Sequence, residues 1–286
     1  MSAWRQWPLA LRVGCVGFGL VLAAVLLSLL WLPYNPLTMN IPQRLEAPFW
    51  AHPFGTDQYG RDLLSNVIAG GRVSLSVAFG ALFIGAVAGI PLGLIASMRH
   101  GWVDEIIARG NDIIFAFPFL IIAALIVGFI GVGALAATLA LGIFNIPVFT
   151  RVTRTAALGQ WHRDYVLAAV ASGKTQPQIA RQHILPNIAS ALLVQSAILI
   201  SLAILAEAGL AYLGIGAQPP TPSWGRMLGD AQPLIGVAPW LAIFPGLAVL
   251  FTVFMLNLIA DGLRDLLDPR FNRATEQDKS HEPSGN

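Results

Sequence analysis

Long runs without a charged residue alternate with short polar segments along this chain. Arg5 and Arg12 precede an uncharged run from Val13 to Leu32, about 20 residues and enough to cross a bilayer as a helix. The run ends Leu30-Trp31-Leu32-Pro33-Tyr34, not in small residues before a cleavage site. It therefore reads as an uncleaved anchor with Trp31 and Tyr34 at the membrane interface. No charge appears from Val73 to Met98, where Pro91 among Gly85, Gly89 and Gly93 predicts a bend. Arg99 to Asp112 reads as a charged loop. Ile113 to Thr150 is again uncharged and too long for one span, so Gly131-Val132-Gly133 divides it into a hairpin. Pro118 and Pro147 are tolerable there if neighbouring helices repair the backbone bonding. Two further apolar segments follow, each ending in a carboxylate, Glu207 and Asp261.

The pattern predicts an all-α membrane protein with six transmembrane helices, at about 13–32, 73–98, 113–130, 134–150, 188–206 and 238–260. They form one domain over 13–272, between an N-terminal segment 1–12 and a charged tail 273–286. The tail lacks apolar periodicity and is expected to be disordered.

Two polar connections carry most of the information. Residues 33–72 contain Phe54-Gly55-Thr56-Asp57-Gln58-Tyr59-Gly60-Arg61-Asp62, where Thr56 or Asp57 can cap a short helix toward Ala69. Residues 161–187 form a polar, basic island between apolar runs. A small-residue turn of helix, Gly173, a short polar helix and Leu185-Pro186 entering the next run predict a protruding helix-turn-helix, a plug. A third connection, Gly214 to Gly225, is rich in glycine and proline and is a turn, not a helix interior.

Composition narrows the class. With 56% hydrophobic and 11% charged residues, the chain is far from the roughly 25% charged of soluble domains. Its basic residues follow topology and do not gather in a nucleic-acid patch. Placing the plug inside puts thirteen Lys and Arg on its side and four (Arg44, Arg61, Arg72 and Arg226) on the other, so the plug and both termini are expected in the cytoplasm. Cys15 is the lone cysteine and reads as a packing residue.

Candidate chemistry is sparse. Ser172-Gly173-Lys174-Thr175 looks like the end of a phosphate-binding loop, but position 168 is Ala where that loop needs glycine, and helix precedes it where a strand is required. ATP is thus expected on another subunit. No span core holds a charged residue, which disfavours a proton-coupled secondary transporter and leaves a sodium site built from carbonyls open. His52, Asp57 and Asp62 could ligate a metal, although nothing in their spacing forces them together. Glu207 is either an interfacial carboxylate or, with Trp224, part of an outer translocation mouth. Asp261 and Arg264, three apart, read as a surface pair at the cytoplasmic end.

Within the plug, Ala168, Ala169, Gly173, Leu185 and Pro186 fall in register with a loop motif of binding-protein-dependent ABC transporter permeases: Glu-Ala-Ala, three residues, Gly, nine residues, Ile, one residue, Leu-Pro. Leu167 stands at the glutamate position and His183 at the isoleucine position. Gly55, Thr56, Asp57, Gly60, Arg61 and Asp62, followed by Arg72-Val73-Ser74-Leu75, closely resemble the signature of the dipeptide, oligopeptide and nickel branch. Leu205 to Gly214, Pro219 to Gly225 and Asp261 to Arg270 are similar to later segments of that branch, so the resemblance covers 55–270.

The resemblance implies a type I importer permease fold and one of two permease subunits, most readily a heterodimer. Partners would be two ATPase subunits, which bind ATP and Mg, an extracytoplasmic substrate-binding protein and membrane lipid, but no nucleic acid. The chain itself would hold no catalytic residue, cofactor or metal. Coupling to the ATPase would fall to Tyr165, Leu167, Ala168, Ala169, Gly173, Leu185 and Pro186 in an inner-membrane protein importing by alternating access. Peptides are the first expected cargo and nickel or a metal chelate the second. A secondary transporter or channel is the reading from another class.

Overall fold

The computed structural model describes residues 7–99 and 101–267, and every extended element among them is helical apart from a lone bridge between Thr56 and Asp62. Among the described residues, five helices are long and apolar enough to cross a membrane: α1 (Leu9–Leu27), α2 (Leu63–Met98), α5 (Ala134–Trp161), α8 (Leu185–Tyr212) and α10 (Trp240–Leu267). Between α2 and α5 lie α3 (Trp102–Ala116) and α4 (Phe119–Ile130), which meet at 87°. The segments 1–6 and 273–286 of the expected N-terminal stretch and tail lie outside the described residues.

The α3–α4 pair corrects two expectations, a span at 113–130 and a loop at Arg99–Asp112. Pro118 lacks an N–H and drives Phe117 into extended geometry (φ −95, ψ 133), which ends α3. Four of the charges read as a loop, Asp104, Glu105, Arg109 and Asp112, are instead on α3. Asp104 accepts both Nε and Nη2 of Arg154 at 2.6 and 2.5 Å, and Arg151 reaches Asp112 at 2.7 Å, pinning α3 to α5.

Helices α2 and α5 run in the same direction. Gly89 of α2 packs on Ile146 and Phe149, and Gly93 on Thr150 and Thr153, so position rises together on both helices. Parallel neighbours need a return crossing between them, and only α3–α4 can supply it. Helix α1 packs antiparallel on α10, with Gly14 against Met255 and Ile259, and Gly262 against Leu11. The start of α1 and the end of α10 therefore share one end of the bundle with the plug; the loop 33–62 occupies the other.

Helix α2 starts ten residues earlier than the span expected at 73. Its cap is Asp62, whose Oδ2 accepts the Ser65 N–H at 2.7 Å, and neither Thr56 nor Asp57. Arg72 had marked the border, yet it sits inside the helix because its charge is used. Its Nε donates to Ser28 Oγ at 2.8 Å and its Nη2 to the Ser28 carbonyl, at the carbonyl end of α1.

Candidate functional site

The plug begins where α5 ends. Helix α6 (Asp164–Ala171) has Asp164 in its first turn, favourable at the positive end of the helix dipole. Gly173 then reverses the chain at φ +81, and a Cβ there would meet nothing within 4 Å, so the glycine is needed for its dihedral and not for space. The Thr175 N–H donates to Gln178 Oε1 at 2.9 Å and starts α7 (Gln176–Ile179). A wider turn, Ala180–Ile184, leads into α8, where Pro186 occupies a first-turn position that needs no N–H donor.

One side of the plug belongs to the protein's own core. Val166, Ala169, Ile179 and Ile184 are buried against Phe149 and Ala157 of α5 and Ile188 of α8. The other side has no cover: Tyr165, Leu167, Ala168, Val170 and Ala171 are exposed, as is Pro186, while Leu185 is half-buried. Ala169, expected on the docking face beside Ala168, thus points the other way, as a one-residue step of about 100° on a helix requires. Lys174 Nζ contacts Gln182 Oε1 at 3.0 Å and His183 Nε2 at 2.8 Å, tying the reversal to the turn that follows.

At the opposite end, the segment 55–62 is a knot in which each residue of the signature is used internally. Asp57 Oδ1 accepts the backbone N–H groups of Tyr59 and Arg61 at 2.8 and 2.9 Å, while its Oδ2 takes Arg61 Nε at 2.6 Å. Thr56 Oγ1 donates to the Gln43 carbonyl at 2.5 Å and accepts the Glu46 N–H at 2.9 Å. Asp62 caps α2 with one oxygen and holds His52 Nδ1 at 2.8 Å with the other. Of the three residues considered for a metal, His52 and Asp62 are thus joined, and Asp57 is committed to Arg61. Trp240 Nε1 donates to the Thr56 carbonyl at 3.3 Å and Phe54 stacks on Phe244 at 3.9 Å, fastening the knot to α10.

Gly55 and Gly60 both take positive φ, +78 and +71, and a Cβ on Gly60 would overlap the Asn40 carbonyl oxygen. Alanine at Gly60 carries a backbone cost of ~1–2 kcal/mol before that overlap is counted. Gly60→Ala is therefore expected to open the loop to limited proteolysis within 33–62; digestion at the wild-type rate would show that the knot does not depend on this turn.

Glu207 and Trp224 lie together but face no opening. Glu207 is 1% exposed and Trp224 2%. Ser74 Oγ donates to Glu207 Oε2 at 2.8 Å and accepts the Trp224 N–H at 3.3 Å, and Trp224 Nε1 donates to the Val67 carbonyl at 2.7 Å. The expected mouth-lining pair is corrected: in this conformation it is a buried junction of α2, α8 and α9 (Trp224–Ala231). Near it, the knot and the Pro219–Pro222 turn enclose a recess of about 80 Å³ whose charged lining consists of Asp57, Arg61, Arg226 and Asp230. Asp261 and Arg264 are both exposed and form no ion pair with each other among the described residues, which corrects the expected pair. Two uncharged residues that a search for charges passes over, Gln195 and Asn257, stand on the outer faces of α8 and α10; a lone carboxamide in an apolar run is the signal that marks them.

The family described as binding-protein-dependent transport system inner membrane component matches residues 89–273. The chain is 37% identical to a dipeptide transport system permease protein, DppC, of Alkalihalophilus pseudofirmus, over 94% of this chain and 91% of that one. It is 38% identical to a glutathione transport system permease protein, GsiD, of Pectobacterium atrosepticum, over 94% and 92%. A di/tripeptide transport system permease protein, DppC, of Pseudomonas aeruginosa is 39% identical over 85% and 82%. Among solved structures, an inward-facing MetNI methionine ABC transporter chain shares the fold, with TM-score 0.60 and 20% identity over 71% of this chain and 97% of that one.

Proposed function

The chain belongs to the family of binding-protein-dependent transport system inner membrane components, and from that membership we propose that its cargo is a di- or oligopeptide handed over by an extracytoplasmic binding protein. It is a multi-pass permease subunit of an ABC importer in the inner membrane and not an enzyme; its ATPase is a separate subunit. The observation that carries the peptide reading is similarity to proteins named for dipeptide and glutathione transport over 94% of this chain. Glutathione is itself a tripeptide.

A single chain of this size encloses no path, so a second permease completes it, as a heterodimer. Two ATPase subunits, holding ATP and Mg, dock on the two plugs. The thirteen-to-four division of Lys and Arg supports a cytoplasmic plug and cytoplasmic termini. The uncovered apolar face of α6 is the docking surface, because an apolar patch in water beside a membrane calls for a partner. Its other face is locked into α5 and α8, so a push on α6 moves both helices as one lever. Ordered motion of that lever opens the path to either side in turn.

Uptake of a labelled dipeptide and of radioactive nickel, compared in cells with and without this gene, tests the cargo. Loss of dipeptide uptake alone is expected. Loss of nickel uptake alone overturns the peptide assignment and leaves the permease role standing.

A further inference from the structure

Helices α8 and α10 pack side by side, and two hollows open along this helix pair, together called the groove below. At the plug end a hollow is lined by Ala191, Gln195 and Ile198 with Val152 and Arg264; toward the other end a second is lined by Leu205, Phe254 and Asn257 with Leu228 of α9. Gln195 and Asn257 are the carboxamides of this groove. Gln195 is half-buried and Asn257 exposed, and neither side chain has a hydrogen-bond partner among the described residues.

Each lies ten residues from the plug-side end of its helix, Leu185 to Gln195 and Asn257 to Leu267. That is about 15 Å of depth at 1.5 Å per residue. Short, uncharged side chains at that depth cannot snorkel to the interface as Lys or Arg do. An amide facing hydrocarbon with its donors and acceptor unmade is costly, and polar groups within spans turn toward a water-filled cavity or a partner. The groove is therefore not a lipid-facing surface.

We propose that Gln195 and Asn257 line the translocation path and hydrogen-bond the backbone of the passing peptide; this rests on the peptide-permease reading above. A carboxamide carries a carbonyl acceptor and two N–H donors, the complement of a peptide bond whatever side chains flank it. It carries no charge, so it holds neither the ammonium nor the carboxylate end of a peptide strongly. Two such groups on neighbouring helices give contacts that tolerate sequence and release readily. The apolar residues beside them, Ile198 next to Gln195 and Phe254 next to Asn257, make no competing polar claim.

The test uses the whole complex with Cys15→Ser, which removes the native thiol, and then Gln195→Cys or Asn257→Cys. Labelling by a membrane-impermeant thiol reagent from the plug side is expected at both positions, at a rate that changes between the nucleotide-free and vanadate-trapped states and falls when dipeptide-loaded binding protein is turning over. Labelling only by a lipid-soluble reagent places the groove in lipid and overturns the proposal. Disulfide capture of the partner permease without aqueous labelling makes it a subunit interface and also overturns it. The double variant Gln195→Leu with Asn257→Leu should lower dipeptide uptake at least tenfold while the complex assembles and hydrolyses ATP at its basal rate; wild-type uptake overturns the peptide contact. Because labelling in the nucleotide-free state needs no cargo, a complex that labels but imports only nickel discards the peptide chemistry, whereas one that imports dipeptide and fails to label discards the lining.

Discussion

Arginine in place of Ala168 will cut ATP-driven uptake by about 30-fold or more while membrane insertion and basal ATP hydrolysis stay at wild-type levels. Ala168 is the small, exposed residue at the middle of α6, between Tyr165 and Leu167 on one side and Val170 and Ala171 on the other. A partner that seats this face must approach the Ala168 Cβ closely, and a guanidinium there brings volume and a charge with no place in an apolar contact. Losses at the centre of an interface run to roughly 2–4 kcal/mol, which is the source of the fold-change. Leu167→Glu probes the same face more gently, since a carboxylate at the family's glutamate position meets a groove expected to receive a leucine. The diagnostic measurement is stimulation of ATP hydrolysis by loaded binding protein in the purified complex. Wild-type stimulation in Ala168→Arg would remove α6 as the docking element. Ala169→Arg is a different experiment, because Ala169 is buried against the chain's own helices and its loss would unseat the plug from α5 and α8.

Much of this architecture is legible in the sequence because lipid imposes one strong rule, that apolar length becomes helix. The rule fails where a charge is consumed inside the bundle. Arg72 marked a border that does not exist, since its guanidinium is spent on Ser28 of another helix. Asp104, Asp112, Arg151 and Arg154 looked like loop and helix-end charges, yet they join α3 to α5. Both cases need a partner at least 39 residues away in sequence, which no local pattern reports. The candidate sites divide in the same way. The shape of the plug follows from Gly173 and the small residues before it, but which alanine faces outward depends on where α5 and α8 lie. Glu207 sits at the end of an apolar run and reads as interfacial. It is sealed because Ser74 and Trp224 close over it from α2 and α9. The signature 55–62 is visible as a string, although its contribution is bonding within the loop and to α10, not a set of free ligands.

Leucine in place of Gly89 will prevent the permease from folding into a recoverable complex. Gly85, Gly89 and Gly93 recur every four residues and form one stripe of α2 against α5, the close approach that small residues permit between membrane helices. A Cβ on Gly89 would stand 2.5 Å from the Ile146 carbonyl oxygen and 2.6 Å from Phe149 Cβ. The first contact is backbone and cannot turn aside, so the helices must separate. Phe149 is fully buried in the core that also holds the base of the plug, and the displacement would spread there. Overpacking costs about 1–3 kcal/mol where a core can adjust, and a rigid helix pair adjusts least. Gly19→Leu on α1 is the matched control, because a Cβ at Gly19 meets nothing within 4 Å. Detergent-extracted yield and thermal unfolding of the two variants should differ sharply, Gly19→Leu behaving as wild type. Equal behaviour would show that the α2–α5 seam is not rigid. Gly89→Ala, with the same clash and less bulk, asks a finer question. Helix α2 begins at the signature knot and α5 ends at the plug, so the seam is the direct mechanical connection between the two ends of the molecule. If Gly89→Ala folds, its binding-protein-stimulated ATP hydrolysis should fall more than its stability does, because a seam held apart by one methyl group transmits displacement poorly even where it still holds.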